Sequence, residues 1–129
     1  MSLVNAIINK LKKSSVWNGK EEPESNIVLF SDVDVFPDAP YIVVKSEIGI
    51  MENTRSYRII VHMNRTNYDR LEDFVLKELD SLLLKDYLND DEGGRYKLYP
   101  NGFTDVTPEK TDNTYYAERL YYTPLTARN

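Results

Sequence analysis

Between residues 68 and 83 the apolar side chains recur at helical spacing. Tyr68, Leu71, Val75, Leu79, Leu82 and Leu83 form one stripe through about four turns, with acidic and basic residues between them. Thr66 or Asn67 caps this helix, and Asp69 and Glu72 suit its positive end. A stripe of that length must be covered, so the rest of the chain has to supply an apolar surface to meet it. A second helix begins at Ser2, where Leu3, Val4, Ile7, Ile8 and Leu11 share a face. Lys10, Lys12 and Lys13 follow at its negative end.

The surface to be covered comes from runs with a period of two. In Ser56–Met63, Tyr57, Ile59, Val61 and Met63 alternate with Arg58, Ile60 and His62. Tyr41–Ile48 is rich in β-branched residues and forms a hairpin with it around Gly49–Thr54. Ile27–Phe30 reads as a short strand, and Ser14–Ser25 and Ser31–Pro40 read as connections. Asn89–Gly94 (NDDEGG) ends the long helix in an exposed loop. Arg95–Tyr99, Phe103–Glu109 and Tyr115–Leu125 are strands, separated by turns at Pro100-Asn101-Gly102 and Lys110–Asn113. The order α-β-β-β-α-β-β-β predicts an α+β domain over residues 1–129, a mainly antiparallel sheet with two helices packed on one face. Leu71, Val75, Leu79 and Leu82 are expected to be buried. There is neither an internal repeat nor a linker.

Composition narrows the function classes. With 41% apolar residues, ten Tyr and four Phe, 129 residues can bury a core without staples. Cysteine is absent, which removes disulfides, thiolate metal sites and Cys nucleophiles and fits a reducing cytoplasm. No apolar run approaches the ~18–20 residues of a membrane helix, and the lysines after the first apolar stretch reverse the order of a secretory signal. A net charge of −5 argues against generic nucleic-acid binding. That charge is unevenly spread: residues 1–20 hold four Lys and no acid, whereas residues 66–94 hold nine acids against Arg70, Lys77 and Lys85. Such asymmetry describes either solvated helix faces or complementary surfaces in an assembly.

Few segments bear on chemistry. Asn26–Phe36, NIVLFSDVDVF, resembles the first motif of haloacid-dehalogenase-type phosphatases, in which Asp32 would attack phosphorus, Asp34 would serve as acid and base, and Mg²⁺ would neutralise charge. Val35-Phe36 replaces the usual Gly-Thr, the chain is short for the alternating α/β sheet, and Asp90-Asp91 follows a helix. A small phosphatase is therefore the reading from another class, not the favoured one. Asp32, Asp34 and Asp38 lack the Gly and distal Glu of a calcium loop. His62, the only histidine, cannot build a multi-histidine site and reads as structural. No catalytic, cofactor or metal residues are assigned. Tyr115, Tyr116, Tyr121 and Tyr122 place aromatic rings on both faces of the last strand, so one face can line the core while the other needs a cross-strand partner or an interface.

Taken together, LVNAIINKLKK, DVDVFPDAPYIVV, SYRIIVHM, YDRLEDFVLKELDSLL and the closing TYYAERLYYTPL resemble the tail-terminator and tail-completion proteins of long-tailed bacteriophages over nearly the whole chain. The resemblance implies a structural virion protein, made in the host cytoplasm, that forms a sixfold ring with copies of itself. That ring would contact the tail-tube protein and the head–tail connector or stopper protein, and DNA would pass its lumen without specific binding. It implies no enzyme chemistry and no cofactor. A neighbouring neck protein, a head-completion or stopper protein, is the alternative within the same class.

Overall fold

The computed structural model describes residues 2–17, 26–29, 38, 40–48, 54–64, 68–89, 93, 95–100, 106–108 and 114–124. Helix α1 spans Ser2–Leu11. It buries Leu3, Val4, Ala6, Ile7 and Leu11, with Ile8 packed at the margin. A single 3₁₀ turn, Ser15–Trp17, follows within the stretch expected to be a loop. The buried Trp17 indole donates to the carbonyl of Leu11 at 2.7 Å, and Ser14 Oγ accepts from the Val16 amide at 3.0 Å. The C-terminal end of α1 is thus closed by an aromatic side chain rather than left to water.

Strands β1 (Ile27–Leu29), β2 (Tyr41–Ile48), β3 (Thr54–Asn64), β6 (Tyr99–Pro100), β7 (Val106–Pro108) and β8 (Thr114–Pro124) form one sheet in the order β1-β2-β3-β8-β6, with β7 also pairing β8. All pairings are antiparallel except β1 with β2, which is parallel. Asn26 fixes that parallel pair: its buried side-chain amide donates to the carbonyls of Asp38 at 3.0 Å and Pro40 at 2.9 Å, holding both ends of the connection together. A second, two-stranded sheet pairs β4 (Leu88–Asn89) antiparallel with β5 (Arg95–Tyr96); of the expected loop, Asn89 lies in β4 and residues 90–92 and 94 lie outside the described residues. Gly93, at φ 88°, lies there in the left-handed region that costs an ordinary residue strain.

The long helix is three consecutive pieces: α2 (Tyr68–Asp73), a π segment (Phe74–Glu78) and α3 (Leu79–Leu84). Its buried residues are Leu71, Phe74, Leu79 and Leu83. The five-residue step from Phe74 to Leu79 crosses the π segment, where an i→i+5 turn adds one residue. That extra residue moves the last buried position from Leu82, which is only half-buried, to Leu83. The side chain of Val75 lies outside the described residues.

All these elements meet in one core. Each strand's inward row is set by register: Ile27–Ile42–Val61–Ala117 and Leu29–Val44–Ile59–Arg119 run across the sheet, followed by Tyr57–Tyr121. α1 packs beside α3 and β4, while α2 lies on β3 and β8. The architecture is α+β, a mostly antiparallel sheet with two helical elements on one face.

Candidate interaction surface

Alternation along each strand gives the sheet a second, outward row, and no described helix lies on it. At one end three rings stack across the strands: Tyr41 on His62 at 4.3 Å and 9°, and His62 on Tyr116 at 5.5 Å and 28°. These residues are register partners, so the stack follows directly from strand pairing. Half-buried Ile60 and Leu120 continue the face, in which Val43 is already buried, and at the far end Tyr122 meets Tyr99 with ring centres 5.5 Å apart. Tyr99 and Tyr87 are the large apolar side chains most open to solvent among the described residues. Arg95 lies 4.3 Å over the Tyr87 ring.

The centre of the face is ionic. Arg58 donates to both Glu47 oxygens, through Nε at 3.0 Å and Nη2 at 3.1 Å, and also to Glu118 on β8. Lys45 lies 3.5 Å from the same Glu47 carboxylate. One guanidinium therefore ties β2, β3 and β8 together in a fork geometry that lysine could not reproduce. The hydrogen bonds from Arg58 hold Glu47 below the usual carboxylate range, with Lys45 adding a smaller pull and burial opposing both. A depressed carboxyl contributes stability above its unfolded value and loses it as pH falls through the folded one. Stability in urea should thus hold from neutral pH to about the ordinary 4.5 and decline below it. Glu47→Gln should be less stable at pH 7 and show a shallower acid decline; an identical pH profile would remove Glu47 from the account.

On the inward side, Asp80 of α3 accepts from Arg119 Nε and Nη2, each at 3.2 Å, and from the Tyr121 hydroxyl at 2.6 Å. Burial, then the Asp80 carboxylate, raises the Tyr121 hydroxyl well above its ordinary range, so it remains a donor. Of the four tyrosines on the last strand, Tyr121 is fully buried within the chain, which removes it from the interface candidates, and half-buried Tyr115 packs against the core on the same face. Tyr116 and Tyr122 face outward and are half-buried.

Asp32, Asp34 and Asp90-Asp91 lie outside the described residues. Asp38 is exposed and contributes its backbone carbonyl to Asn26. No group of three His, Asp or Glu side chains that could hold a metal ion occurs among the described residues. Of the helix-end lysines, Lys13 is exposed and Lys10 and Lys12 half-buried. No helix among the described residues is long and apolar enough to cross a membrane. Sequence reasoning missed Trp17 and the Asp80–Arg119–Tyr121 cluster. An arginine in an inward strand position was the available signal for the second.

No protein-family model matches this sequence and no curated protein matches it. Solved structures do: one protein known by a numerical designation is similar over 98% of this chain and 98% of its own, with a TM-score of 0.51 and 14% identity. At that identity the likeness concerns the fold alone.

Proposed function

We propose that this chain is a structural subunit that assembles into a ring with copies of itself, of the kind that ends the tail tube of a long-tailed bacteriophage and joins it to the head connector. The observation that carries the reading is the outward sheet face. It combines Tyr41, His62, Tyr116, Tyr122 and Tyr99 with an arginine–carboxylate centre, the residue types enriched where proteins bury surface against one another. The three long strands, β2, β3 and β8, are eight to eleven residues long and about 4.8 Å apart, and present roughly 450 Å². That is roughly half of the ~800 Å² per partner of a standard interface. An acidic chain at −5 also suits a lumen through which DNA slides without sticking.

The test is imaging of particles from a phage that encodes the chain, with the chain labelled. One ring per particle at the junction of tube and neck is the expected result. Labels repeated along the tube, or absent from virions, would overturn the reading. A ring displaced onto the head side of the junction would favour the head-completion or stopper alternative.

A further inference from the structure

We draw no further inference here: the strongest candidate, the groove of about 520 Å³ beside the π segment with buried Val16, Met63 and Phe74 in its lining, has cations and carboxylates in balance along its rim, Lys77 lying 3.8 Å from Asp73, and nothing in the structure shows what covers it.

Discussion

Replacing Leu79 by Ala is expected to lower the free energy of unfolding by about 2–5 kcal/mol. Leu79 is fully buried where the π segment passes into α3, in the same cluster as Leu71, Leu83, Tyr57 and Tyr121. Removing its side chain forfeits transfer free energy and leaves a void, and a helix lying across a paired sheet has little freedom to collapse into it. Leu82→Ala is the internal control. In an uninterrupted helix both residues would be buried, but Leu82 is half-buried here and should cost about half as much or less. Urea denaturation with an unchanged slope measures both. A loss below about 0.5 kcal/mol for Leu79, or equal losses for the two, would contradict the one-residue shift produced by the π turn.

Asp80→Ala should be nearly as damaging, for a different reason. The Asp80 carboxylate is the acceptor for the Arg119 guanidinium and for the Tyr121 hydroxyl, and Tyr121 is fully buried. Truncation leaves an inward-facing charge and a buried hydroxyl without that acceptor. Asp80 and Arg119 side chains are 30% and 18% exposed, so water softens the penalty to about 2–3 kcal/mol rather than the full cost of a buried pair. Adding Arg119→Met and Tyr121→Phe to Asp80→Leu should recover most of the loss, because the groups that needed the carboxylate have gone. If the triple variant is no more stable than Asp80→Ala, the network contributes through packing and the electrostatic account fails.

How far the sequence disclosed this molecule varies with the range of the forces involved. Periodicity located α1, β2, β3 and β8 to within two residues, because burying one side of a regular element leaves a regular mark. Periodicity also named Leu71 and Leu79. It could not register the inserted residue of the π segment, which alters phase without altering composition, so Leu82 was expected where Leu83 is buried. The parallel partnership of β1 was hidden because it depends on Asn26 reaching two carbonyls twelve and fourteen positions away. Tyrosines on both faces of β8 were visible, but which pair points inward is decided by the register with β3, where Tyr57 opposes Tyr121. The outward face was legible only as a surplus of aromatic residues. Its ring stack and its arginine fork appear once three strands lie side by side.

The pairing of β3 with β8 also governs how such a chain reaches its fold. β8 enters the sheet beside β3 rather than at an outer margin, and Arg58 and Glu118, joined across that seam, are 60 positions apart. Until β8 has emerged from the ribosome, β3 has an open flank lined with apolar side chains, and the helix built from α2, the π segment and α3 lacks half of its floor. Closing so long a loop before any reward is gained makes folding slow compared with a helical bundle of equal size. A nascent chain in this state is vulnerable to pairing with its neighbours on the same polysome. β8 is the strand that completes the sheet's interior, so the sheet closes only after β8 has been made.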